Sequence, residues 1–157
     1  MKVLLATEGS EFSNEAIEKC CKMFDESENT EMRIVSAVEP TFVPAEPFAV
    51  SADYIRDIDS AARKQADDVV SRAEAGIRKR FPALAAALTT NVVTGSPAKV
   101  IVEEAEEWGA DLIIVGSHGY GFWRRALLGS VSNAVVHQAP CSVLVVRAPE
   151  KLNGKNN

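Results

Sequence analysis

At 157 residues the chain has the length of one domain, enough to bury about 70% of the surface its unfolded form exposes without a metal or disulfide staple. Apolar residues at 46% and charged residues at 25% are an ordinary globular balance. A net charge of −5 argues against nucleic acid as a partner, because that needs a basic face.

"KVLLAT" (2–7) is a short apolar run closed by "EGS" and reads as a buried strand and turn. Ala16, Ile17, Cys20, Cys21 and Phe24 then recur at helical spacing, with Ser10 or Ser13 available as N-cap. "MRIVSAV" (32–38) is a second strand. Segment 39–52 holds three prolines and no period, so it is expected to be a long loop, a class often tied to function. From Tyr54 a helical face follows through Ile55, Ile58, Ala62, Ala66, Val69, Ala73 and Ile77, ending near Phe81 and Pro82, with Gly76 weakening its last turns.

A third strand is expected over 87–95. Ser96 as N-cap, Pro97 at the first helical position and Gly109 at the end bound a helix whose inward face is Val100, Ile101, Ala105 and Trp108. "DLIIVG" (111–116) is a near-continuous apolar strand. A last helix starts at Ser130, with Val131, Ala134 and Val135 inward, and 141–147 is the final strand. Residues 1–148 form the domain and 149–157 a polar, frayed tail.

Strands alternating with helices, and strands apolar on both faces, predict an α/β fold: a doubly wound five-stranded parallel sheet with helices on both faces. Ligands in such sheets sit beyond the carboxyl ends of strands where the winding reverses. That directs attention to "TEGS", "VEP" and "GSHGYG".

Cys20, Cys21 and Cys141 show no metal-ligand or CxxC spacing. They read as reduced, mostly buried thiols of a cytoplasmic protein. "MKVLLATEGS" has too few apolar residues for a signal peptide, and no run approaches the roughly 20 apolar residues of a membrane span.

The stretch 115–131 concentrates the candidate chemistry. Gly116, Gly119, Gly129 and Ser130 give the spacing G-x2-G-x9-G-S after an apolar strand and before a helix. Gly116 and Gly119 are expected to use positive φ and to let a ligand approach the backbone. Successive N–H groups there form an anion nest, and Gly129-Ser130 turns a helix N-terminus toward the same crevice. The bland alternative is glycine serving only turns. The loop is not a P-loop, since no G-K-[ST] follows, nor a dinucleotide G-x-G-x-x-G.

With "VLLATEGSEFSNEA", "ADLIIVGSHG", this glycine signature and "APCSVLVVR" all in order, the chain closely resembles the universal stress protein family from Lys2 to about Ala148. The resemblance implies a Rossmann-like fold akin to the adenine nucleotide alpha hydrolases, a homodimer, and the branch that binds ATP with Mg²⁺ or Mn²⁺ on its phosphates. Carried over by position, Ala6, Thr7 and Glu8 meet the adenosine side and Ala37 lines the adenine. Val115, Gly116, His118 and Gly119 border the ribose and phosphates, and Gly129, Ser130, Val131 and Ser132 hold the phosphates. Glu8 stands where the family has Asp. The resemblance implies that this carboxylate approaches ribose or a phosphate-bound metal, and Glu8 is expected to tolerate ATP there or else to alter nucleotide choice.

Other residues carry weaker expectations. His118 is equally a phosphate donor or a solvent-facing histidine, and His137 favours a helix end. Arg124 and Arg125 belong to a solvated helix face or else reach phosphates, Trp108 belongs to the core, and Trp123, in the loop, either covers the site or simply packs. Ser10 and Ser13 are caps rather than nucleophiles. No complete catalytic set stands out, so the expected function is nucleotide-dependent regulation of an unknown protein partner in a stress response, with weak or no ATP hydrolysis. The alternative is a dimeric interaction module holding AMP, a cyclic nucleotide or nothing, paired through strand 141–147. An ATP-dependent transferase lacks identifiable substrate residues.

Overall fold

The computed structural model describes residues 1–25, 29–41, 51–117 and 128–147. Five strands, β1 (Lys2–Ala6), β2 (Glu31–Val38), β3 (Leu88–Thr94), β4 (Leu112–Gly116) and β5 (Ser142–Val146), form one parallel sheet in the order β3-β2-β1-β4-β5. Between them run α1 (Glu11–Phe24), α2 (Ala52–Arg80), α3 (Pro82–Ala85), α4 (Pro97–Trp108) and α5 (Ser130–Gln138). The doubly wound α/β expectation holds. The single turn α3 is an addition, started by Pro82, whose fixed φ suits a first helical position.

Side chains alternate across each strand, so every central strand feeds two cores. Leu5, Ile34 and Ile114 face α1 and α2, where Ile17, Cys20, Val70 and Ile77 close over them. Leu4, Val35 and Ile113 face the opposite way and meet Val100, Ile101 and Ala105 of α4 and Val135 of α5. The central strands are buried on both faces, as a parallel sheet requires.

The helix ends follow local chemistry. Ser10 caps α1 by accepting from the Ser13 N–H. Gly109 ends α4 at φ 69°, a left-handed residue whose N–H reaches the carbonyls of Ala105 and Glu106. Ser96 does occupy the N-cap of α4 with Pro97 after it, but its side chain makes no capping bond.

Trp108 packs against the α4–α5 core cluster, as expected, while staying half-buried, and its ring is also a platform for cations. The Arg33 guanidinium lies 4.4 Å from the ring centroid and the Lys2 ammonium 5.5 Å. Arg33 also pairs with the buried Glu104 at 2.7 Å, and Asn91 Nδ2 donates to the second oxygen of Glu104 at 2.9 Å. This network fastens β2 and β3 to α4.

Two further features frame the molecule. At 29 residues, α2 is about 43 Å long at 1.5 Å per residue, whereas the eight residues of β2 span about 26 Å. The first turns of α2 therefore overhang the sheet, with Ile55, Ile58 and Ala62 only half-buried. At the other side, β5 is an edge strand whose Val143, Leu144 and Val145 are half-buried. Among the described residues, no helix is long and apolar enough to cross a membrane. Cys20, Cys21 and Cys141 are free thiols, the first two buried in α1.

Candidate functional site

The winding reverses between β1 and β4, which pair through Val3–Leu112, Leu4–Ile113 and Leu5–Ile114. A crevice at such a point lies beyond the carboxyl ends of both strands. Four of the expected site residues belong to the apolar core cluster on the α4–α5 side of the sheet. Ala6 ends β1 and Val115 nearly ends β4, both buried, with Ala37 of β2 and Val131 of α5 packed against the same cluster.

Thr7, Glu8, Ser10 and Ser13 form the other wall, at the start of α1. The Thr7 N–H donates to the Val35 carbonyl at 2.9 Å, extending the strand pairing by one residue. The Thr7 hydroxyl donates to Ser13 Oγ at 3.1 Å and accepts from the Gly9 N–H at 3.2 Å. Ser13 Oγ donates in turn to the Ser10 carbonyl at 3.1 Å, and the Ser10 hydroxyl donates to Glu8 Oε1. Thr7, Ser10 and Ser13 are buried while Glu8 is exposed. Ser10 and Ser13 are thus structural, and Glu8 is the rim of their network.

Gly116 does not use the positive φ open to it: among the described residues the positive-φ glycines are Gly9, Gly95 and Gly109. Its need is space: a Cβ there would stand 3.0 Å from the Phe12 carbonyl carbon and 3.1 Å from the Ser13 nitrogen. The strand end presses on the backbone of α1's first turn, so only hydrogen fits without a shift.

Gly129 is the N-cap of α5 at φ −59°, ψ 156°, with no side-chain cap, and Ser130 is exposed at its first position. The free N–H groups of that turn point out with the positive end of the helix. Ser132 is buried and its hydroxyl donates to the Gly116 carbonyl at 2.6 Å. A residue the sequence reading passed over, Ser117, joins the parts. Its N–H donates to the Val146 carbonyl at 2.7 Å, and its own carbonyl accepts from the Gly129 N–H at 2.8 Å. The only signal for it was a small polar residue directly after the strand glycine. His118 and Gly119, with Trp123, Arg124, Arg125, segment 42–50 and the tail, lie outside the described residues.

Among the described residues, no three His, Cys, Asp or Glu side chains gather as a metal cage. A separate cleft of about 480 Å³ opens between α2 and the ends of β2 and β3, with Arg63 and Lys64 on its wall and Val38 and Thr94 below.

The universal stress protein family profile matches residues 1–147. The chain belongs to that family. Universal stress protein A homolog 2 of Coxiella burnetii is 33% identical over 152 residues, covering 93% of this chain and 94% of that protein. A universal stress protein from Arabidopsis thaliana, solved with AMP bound, superposes with a TM-score of 0.69 at 16% identity, covering 99% and 97% of the two chains. A universal stress protein solved in complex with cAMP gives a TM-score of 0.57 at 28% identity, over 95% and 98%. The doubly wound sheet described above is therefore the fold this family uses.

Proposed function

We propose that this universal stress protein binds an adenine nucleotide in the crevice between β1 and β4 and acts as a nucleotide-dependent regulator in the cytoplasm, without a dedicated catalytic activity. The observation that carries the reading is the convergence of Ala6, Ala37, Val115 and Val131 on one apolar wall beside the open N-terminus of α5. An adenine packs on the apolar wall. Phosphates meet the free N–H groups of Ser130, Val131 and Ser132 beside Gly129, whose own N–H is taken by the Ser117 carbonyl, where the helix dipole favours anions. Gly116, His118 and Gly119 border the sugar and phosphates, and Thr7 and Glu8 close the α1 side. The reading takes ATP as the ligand, with Mg²⁺ or Mn²⁺ carried by its phosphates, and AMP or ADP as alternatives for the same crevice. The AMP and cAMP held by the two relatives support an adenine nucleotide. The half-buried apolar edge of β5 supports a two-fold dimer through 141–147.

A second reading has an observation of its own. Gly116 and Ser132 each have a full structural reason to be present, a close approach to α1 and a bond to the Gly116 carbonyl. On that reading the glycine signature is architectural and the chain is an interaction module. Calorimetric titration with ATP and with AMP, each with and without Mg²⁺, separates the two. Saturable binding at micromolar nucleotide supports the first reading. Heat of dilution alone for both ligands overturns it and leaves the module.

A further inference from the structure

Gly76 stands inside α2, one turn before its end, where glycine is less favourable than every residue but proline. The described residues give it no reason to be there. Its φ lies outside the left-handed region. Beyond its own helix, a Cβ on it would meet only Arg80 Nη2 at 3.6 Å, the movable tip of a side chain at ordinary contact distance. Gly116 is held to hydrogen by backbone at 3.0 Å; Gly76 is not. What its missing side chain does is leave room. A cleft of about 340 Å³ runs between α1 and α2, and Gly76 lines it with Ile17, Val69 and Ala73. Val69, Arg72, Ala73, Gly76 and Arg80 all border this cleft. Their spacing of i, i+3, i+4, i+7 and i+11 makes them one stripe, about 16 Å long at 1.5 Å per residue.

The lips of the cleft carry unspent positive charge. Arg72 Nε donates to the Asp68 carbonyl of its own helix at 3.1 Å, and its guanidinium pairs with no carboxylate among the described residues. Arg80 pairs with Glu18, but Glu18 is also the partner of Lys22 at 3.2 Å, so two cations share one carboxylate. The cleft belongs to the α1–α2 face of the sheet, whereas Ala6, Ala37, Val115 and Val131 belong to the opposite one. We infer that the α1–α2 cleft is a docking groove for an acidic amphipathic helix of a partner protein, with Gly76 as the point of closest backbone approach. The inference stands apart from the nucleotide reading. A helix laid along the stripe needs about three turns to span it. Its aliphatic side chains enter over Ala73 and Gly76, where the absent Cβ lets the two backbones come close. Its carboxylates reach Arg72 and Arg80 as charge-assisted pairs. Anchors at i, i+3, i+4 and i+7 are the pattern a groove of this kind reads, and a basic helix is rejected by the same arginines.

The test uses the intact chain and a phage-displayed library of random peptides of roughly 16 residues, enough for four helical turns. It is panned in parallel on the wild type, Gly76→Leu and Arg72→Glu. Gly76→Ala checks the premise: its melting temperature should rise by about 2–4 °C, and a fall would show that the chain itself needs the glycine and would overturn the inference. Peptides enriched on the wild type should carry Asp or Glu beside aliphatic residues at helical spacing and gain helicity on binding by circular dichroism. They should bind Gly76→Leu and Arg72→Glu at least tenfold more weakly. Leucine is a better helix former than glycine, so loss of binding in Gly76→Leu reports a filled groove and not an unfolded chain. Enriched peptides that are basic, uncharged or bound in extended form overturn the acidic-helix assignment. Equal affinity for wild type and Gly76→Leu, or no enrichment, overturns the groove. Self-association of the wild type that Gly76→Leu abolishes makes a second copy the occupant and overturns the separate partner.

Discussion

Replacing Gly116 by alanine isolates the close approach of β4 to α1. The new methyl would sit 3.0 Å from the Phe12 carbonyl carbon, 3.1 Å from its oxygen and 3.1 Å from the Ser13 nitrogen. Ordinary contact for a methyl carbon is about 3.5–4.0 Å, so the strand end and the helix must part by about half an ångström. All three neighbours are backbone atoms in a capped first turn, and no side chain can rotate aside. Overpacking of this kind costs about 1–3 kcal/mol. Against that, losing a glycine removes about 0.4–1 kcal/mol of unfolded-chain freedom, since Gly116 does not use positive φ. The net expectation is a loss of about 0.5–2 kcal/mol, read as a fall in melting temperature of about 1–8 °C at roughly 2–4 °C per kcal/mol for a domain this size. Differential scanning calorimetry measures it. An unchanged or higher melting temperature would show that the turn yields freely and that the glycine is there for some other reason.

Three other outcomes follow from the geometry. Ser130→Asp places a carboxylate at the first position of α5, where the dipole favours it by about 0.3–1 kcal/mol. The same charge opposes a phosphate about 4 Å away by about 1–4 kcal/mol at a partly screened surface. Thermal stability should rise slightly while ATP affinity drops at least tenfold by titration; unchanged affinity would remove phosphate from that helix end. Glu104→Ala strands Arg33 and unpairs Asn91 Nδ2. Because Arg33 keeps 26% side-chain exposure and can turn to water, a loss of about 1–3 kcal/mol in urea unfolding is expected, below the maximum for a fully buried pair, with Glu104→Gln losing less. Burial pushes Cys21 up to about 11 and raises Cys20 further. A thiol whose folded pKa is raised contributes stability below its unfolded value of 9 that is lost as pH climbs toward the folded value. The melting temperature should therefore decline between pH 9 and 11, and a Cys20→Ala, Cys21→Ala double variant should flatten that decline.

The alternation of elements was legible because each strand and helix writes its own period: four apolar residues in "LIIV", or the i, i+3, i+4 spacing along α2. Ser96-Pro97 and Gly109 marked their helix correctly from local chemistry alone. What escaped were pairings between residues far apart in the chain. Nothing near Gly116 announces that Phe12 lies against it, and nothing near Trp108 announces Arg33 and Lys2. The apparent meaning of Gly116 was conformational freedom, yet the operative meaning is volume. At the crevice, topology pointed only to the loops after β1, β2 and β4, since the reversal of winding follows from strand order, while the individual site positions came from the family resemblance. The hydroxyl chain from Thr7 to Glu8 escaped both, because a proton's direction depends on every neighbour at once.

The β1–β4 seam has a consequence for how the molecule is assembled. Residues up to Gly95 supply β1, β2 and β3, and residues from Ser96 supply β4 and β5, so every strand pairing except this one joins partners within the same half. The seam is held by three register pairs and by a clasp at its base, where Lys2 N–H meets the Asp111 carboxylate at 2.7 Å and Asp111 N–H meets the Lys2 carbonyl at 2.9 Å. Ala6 and Val115 come from opposite halves and share one apolar cluster across the seam. The crevice is therefore a property of the joint and of neither half. Whatever binds across it draws its affinity from the same equilibrium that closes the sheet, and so acts as the fastener of a two-piece body.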